Sequence, residues 1–134
     1  MSDHAFMQRA ISTLIMAATA VQAGAPVTTF SKTLHQLHEA LVVHEVRAAL
    51  KTHFPTAVMA VYARYWADDD LVFVHLICTG NADDIELADT TGTLREVLLE
   101  STAALNTIRP EQVGEHLNAG EINHDGWDEF NIHL

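Results

Sequence analysis

Residues 32–45, KTLHQLHEALVVHE, set three histidines and two glutamates in one short stretch, and imidazoles and carboxylates are the groups best able to hold a metal ion or move a proton. On a helix, side chains three and four apart are neighbours. His35 and Glu39 could therefore offer a nitrogen and an oxygen to one ion, with His38 a turn from His35. The pattern is incomplete. Glu39 follows His38 but Ala-Leu-Val follows Glu39, so HExxH is absent. His44 lies six residues past His38, and at about 100° per residue it points elsewhere. A tetrahedral site would need a distant ligand such as His4, His116 or His124. A solvated helical face is the leading reading of the cluster. The alternative is a metal-binding protein or small metal-dependent enzyme built on His35, His38 and Glu39.

Other catalytic patterns are weaker. The chain has four serines, none in GxSxG, and six glycines scattered singly, so neither a nucleophile elbow nor a phosphate-cradling loop is present. His75 and Cys78 are separated by an odd number of residues, which on a strand puts them on opposite faces. Asp68 and Asp70 have calcium-loop spacing, but Val72 follows and the required glycine is missing. No cofactor and no enzymatic activity are expected.

Charge is the stronger signal, with 18 acids against 7 bases and a formal net charge of −11. Asp68, Asp69, Asp70, Asp83, Asp84, Glu86 and Asp89 lie between Arg64 and Arg95 without a Lys or Arg among them. Glu111, Glu115, Glu121, Asp125, Asp128 and Glu129 follow Arg109 in the same way. Such a surface repels phosphate backbones and anionic lipid, which excludes direct nucleic-acid binding and membrane attachment from the expected functions. It suits another protein with a basic surface. Asp68, Asp69, Asp70, Asp83, Asp84, Glu86, Asp125, Asp128 and Glu129 are the candidate binding residues, and Trp127 is a candidate aromatic anchor beside them. In a sharper version, an inhibitor imitating nucleic acid, the carboxylates would have to form a row approaching the one charge per roughly 1.7 Å of duplex DNA.

Nine histidines make this charge sensitive to acid, since protonating all of them takes −11 to −2. Light scattering is expected to rise as the pH falls from 8 toward the sequence pI of about 5.0, because self-repulsion fades there. A flat trace down to about pH 5.5 would contradict this.

The elements that must position these groups follow from size and periodicity. The 134 residues match one domain, 1–134, and an apolar fraction of 49% is enough for a core without disulfide staples. The lone Cys78 favours the cytosol mildly. The stretch MQRAISTLIMAATAVQAGA resembles a secretory leader, yet Asp3 is misplaced for one. Phe6, Ala10, Leu14, Ala17 and Val21 also form a single helical stripe, so a core helix is expected. Gly24 to Pro26 end it, and a second helix is expected near Ser31 as N-cap, with Phe30, Leu34, Leu37 and Leu41 as its stripe. The apolar spacing then slips to Val43, Val46, Leu50 and Phe54. The helix must turn its buried face or break between Leu41 and Val43.

TAVMAVYARYW and LVFVHLICTG around ADDD predict a β-hairpin with an acidic turn, apolar on both faces and so covered by helices or a second subunit; a homodimer would satisfy this. DIELAD adds a short third strand. Thr93 and Glu96 form a capping box for a further helix, Pro110 opens a short one, and WDEFNIHL forms a C-terminal strand. The fold class is α+β: two N-terminal helices, a small mostly antiparallel sheet built on the hairpin, a further helix and a C-terminal strand. The helix, three-strand, helix order from Ser31 to Ile108 resembles the double-stranded RNA-binding topology, whose activity the negative charge disfavours. The overall expectation is a small acidic interaction module.

Overall fold

A computed structural model describes residues 3–66, 69–80, 82–108, 115–117 and 128–134, with the backbone only at residue 3 and at 115–117. The order of elements is α1 (Asp3–Gln22), α2 (Val27–His53), β1 (Ala57–Arg64), β2 (Val72–Cys78), α3 (Gly92–Leu105), β3 (Glu115–Leu117) and β4 (Asp128–His133). The fold is α+β, as expected. No helix among the described residues is long and apolar enough to cross a membrane.

The contacts divide the chain into two compact units, Met1–Leu41 and Val42–Leu134. The division falls where the apolar spacing of α2 slips, and it resolves the choice left by the sequence: the helix does not break. At 100° per residue, the Leu34, Leu37 and Leu41 stripe lies roughly 180° from that of Val43, Val46 and Leu50, so α2 uses opposite faces in its two halves. α2 also begins at Val27 rather than near Ser31. Pro26 immediately precedes its first residue, and Pro26 accepts an N–H bond from Thr29 at 2.9 Å. Pro lacks an N–H and has a preset φ, so it suits a helix entry as well as an exit.

In the first unit, α1 and the first half of α2 form a hairpin of helices joined by Ala23 to Pro26. Gly24 turns the chain at φ +113, a conformation that L side chains rarely adopt. The expected stripe faces inward on α1, with Ala17 buried and Phe6, Ala10, Leu14 and Val21 half-buried.

The second unit holds the sheet, in order β2-β1-β4-β3 and antiparallel throughout. One face of β1 carries Ala60 and Tyr62, which lie opposite Ile132 and Phe130 on β4, and Ala60 also lies opposite Leu76 on β2. These residues join Val43, Val46 and Leu50 from α2 and Leu98 and Leu105 from α3 in one core. Val61 and Ala63 on the other face of β1 are buried too. The central strand is therefore covered on both faces, as its sequence implied. β2 is not, since Val72 and Val74 are exposed. The Tyr62 hydroxyl is buried with no hydrogen-bond partner among the described residues, and desolvation pushes it well above the usual phenol range, so it stays protonated.

Three local expectations are corrected. DIELAD forms a single bridge, Ile85 to Leu76, followed by a 3-10 turn at Leu87–Asp89, because the Asp89 carboxylate accepts the Glu86 N–H at 2.9 Å and closes a turn where a strand would have to stay extended. α3 starts at Gly92 with Thr91 as N-cap, so Thr93 lies inside the helix, and the left-handed Gly92, φ +57, sets the start. The likeness to the double-stranded RNA-binding topology ends here as well: the strand that completes the sheet beside β1 is the C-terminal β4, outside Ser31 to Ile108. The expected helix at Pro110 lies outside the described residues.

Candidate functional site

The hairpin delivers its acidic turn to the end of the sheet where β1 finishes, β2 begins and β4 enters. Register fixes this end: Ala63 lies opposite both Val72 and Glu129, and Arg64 lies opposite Asp128. Behind it, the Asn106 side chain at the end of α3 grips Leu71. Its Oδ1 accepts the Leu71 N–H at 2.8 Å and its Nδ2 donates to the Leu71 carbonyl at 3.0 Å, so the start of β2 is held by a side chain acting like a strand neighbour.

On this frame sit Tyr65 and Trp66, 38% and 55% exposed, packed edge to face with centroids 5.3 Å apart. The chain turns immediately after them through an Asp69 N–H bond to the Trp66 carbonyl at 2.9 Å. Asp69 and Asp70 follow, both exposed. Exposed aromatic faces beside carboxylates are suited to receive Lys or Arg side chains, by cation–π attraction and charge-assisted hydrogen bonds together.

The aromatic pair is the part that sequence reasoning missed. Tyr65 and Trp66 continue the apolar alternation of β1, so they read as strand residues; in fact pairing stops at Arg64. The available signal was their place directly before the acidic turn.

The predicted binding residues separate into groups. Asp69 and Asp70 lie at the hairpin end, and Glu129 is half-buried across the sheet from Ala63. Asp83, Asp84 and Glu86 are exposed in the segment that returns along β2, where an Asp84 oxygen lies 4.0 Å from His75 Nε2. Asp128 is engaged internally: its Oδ2 accepts from Arg64 Nη2 at 2.9 Å, and the same guanidinium lies 5.3 Å from the centroid of the Phe130 ring. The run of acids without a neighbouring base in sequence thus acquires one through strand pairing. Asp68, Asp125 and Trp127 lie outside the described residues.

Three cations of the second unit are committed elsewhere. Arg47 donates from Nε to the His133 carbonyl at 2.8 Å, Lys51 donates from Nζ to the Ala57 carbonyl at 2.9 Å, and Arg64 holds Asp128. Each closes the fold rather than neutralising the exposed acids of the turn.

The histidine cluster has a different character. His35 Nε2 lies 2.8 Å from Glu39 Oε1, with the imidazole exposed and the carboxylate only 2% exposed. Glu39 lies on the same helical stripe as Val43 and Val46, which accounts for a buried acid on a helix that reads as solvated there. His38 lies instead beside Leu34, Leu37 and Leu41, lining an apolar cleft against α1. Among the described residues no group of three His, Cys, Asp or Glu side chains is arranged to hold a metal ion.

Comparisons with known proteins find no family model that matches the chain, no similar curated protein and no similar solved structure. The geometry of the hairpin end therefore carries the functional reading.

Proposed function

We propose that this chain is a non-enzymatic interaction module that engages a basic surface of another protein through the end of its β1–β2 hairpin. The observation that carries the reading is the exposed Tyr65–Trp66 pair set directly before exposed Asp69 and Asp70. Aromatic residues anchor interfaces, and carboxylates around them select cations. The commitment of Arg47, Lys51 and Arg64 to internal partners supports it, because those charges cannot fold back onto the turn.

A protein partner is favoured over imitation of nucleic acid. Ile85 lies opposite Leu76 in antiparallel sense, so Asp84 and Asp83 sit about seven to eight residues along the strand from Asp70, or roughly 24 to 27 Å at 3.4 Å per residue. Two clusters at that spacing are far sparser than a phosphate row. A cytosolic setting belongs to the same reading and is supported only by the single thiol, Cys78, which is half-buried on β2.

The test is titration of a Lys/Arg-rich peptide, followed by calorimetry. Binding is expected to weaken several-fold between about 50 and about 200 mM salt. W66A and the double variant D69N/D70N are each expected to lose about tenfold in affinity, the scale of one interface anchor. No binding, or binding indifferent to D69N/D70N, overturns the reading.

A further inference from the structure

Charge is divided between the two units as unevenly as apolar exposure is. Residues 1–41 contain Asp3 and Glu39 against Arg9 and Lys32, a net charge of zero, so the remaining residues carry the whole −11. The same net-neutral segment supplies Met7, Ile11, Ile15, Met16, Val27 and Leu34, half of the twelve exposed large hydrophobic residues among those described. Chance placement would give it nearer a third.

Three of these residues share one face of α1. Beside the inward stripe of α1, Met7, Ile11 and Ile15 follow at i, i+4 and i+8 as a second apolar stripe, exposed by 45%, 52% and 60%. Met7 and Ile11 meet Leu34, Leu37 and His38 of α2 around an apolar cleft of about 240 Å³. Among the described hydrophobic residues of this unit only Ala17 is buried. Two helices bury one stripe each against the other; a second stripe on the same helix stays wet until something covers it.

We propose that this face docks on the same face of a second copy of the chain, the two helical hairpins closing into a four-helix bundle about a twofold axis. Charge selects the occupant. Two copies at −11 repel across the acidic unit, and the neutral hairpin is the part of the surface where they meet at least electrostatic cost. An anionic membrane finds no excess of basic residues here to hold it, because Arg9 and Lys32 are matched by Asp3 and Glu39. The size is adequate. α1, with 20 residues, spans about 30 Å, and a helix pair with axes roughly 9 Å apart presents a face about 20 Å wide. That gives roughly 600 Å² of footprint before the relief of the cleft is counted, against about 800 Å² per partner in a standard interface.

Sedimentation velocity of the full chain tests this over about 1 to 100 μM. The wild type is expected to be dimeric at the upper end, and I11E and I15K each to shift dissociation by at least about tenfold, as loss of a buried anchor does. Both sites are exposed in the single chain, so far-UV circular dichroism should be unchanged. A monomer across the whole range overturns the proposal, as does a dimer indifferent to both substitutions. Cosedimentation of a monomeric chain with phosphatidylcholine vesicles, lost in I11E, would assign the face to a lipid surface and overturn it too. Peptide binding at Tyr65 to Asp70 is measured in the same samples; it concerns another unit, so failure of either result leaves the other standing.

Discussion

Leu50→Ala lowers the unfolding free energy by about 3 to 4 kcal/mol, while Leu34→Ala, on the same helix, lowers it by less than about 1 kcal/mol in the isolated chain. The contrast follows from the rotation of the buried face along α2. Leu50 is fully buried among Val46, Leu76 and Leu105, whereas Leu34 is 49% exposed beside the α1 cleft. Removing three carbons from a packed core forfeits their transfer free energy and leaves a cavity that the surrounding side chains fill only in part. At a half-wet site the water is already there. Urea unfolding at low protein concentration measures both, and equal losses would mean that the two halves of α2 do not differ in environment. At high concentration Leu34→Ala gains a second effect, because an interface residue is then being truncated and its stability change becomes concentration-dependent.

Phe130→Ala is expected to cost about 3 to 5 kcal/mol. The ring is fully buried, lies opposite Tyr62 across the β1–β4 pairing, and has the Arg64 guanidinium over it at 5.3 Å. Truncation therefore removes core area and the surface against which a buried cation rests, and the Arg64–Asp128 pair loses its support. Phe130→Leu, which restores most of the apolar volume without the ring, should recover more than half of the loss. Urea midpoints at constant slope test the pair. A loss under about 1 kcal/mol for Phe130→Ala would show that β4 is not an integral strand of the core.

The consequences extend to the proposed binding end. Glu129 and the start of β4 are held beside the hairpin by the pairing that Phe130 anchors. A variant that loosens β4 should weaken peptide binding less than D69N/D70N does, since Asp69 and Asp70 are positioned by the Trp66 turn and by the grip of Asn106 on Leu71.

Some of this was legible in the chain before any fold was known. Helical stripes, the phase slip between Leu41 and Val43, the hairpin around the acidic turn and the concentration of negative charge are all local: each depends on residues a few positions apart, and periodicity and charge are written at that range. The tertiary structure alone decided which strand completes the sheet, that Asp128 finds Arg64 from 64 positions away, that the two units part where the helix turns its face, that Glu39 is buried, and that Tyr65 and Trp66 leave the strand for solvent. Those outcomes depend on which distant surfaces meet. A strand can pair with several partners that satisfy its alternation equally well, and the choice is made by the packing of the whole core.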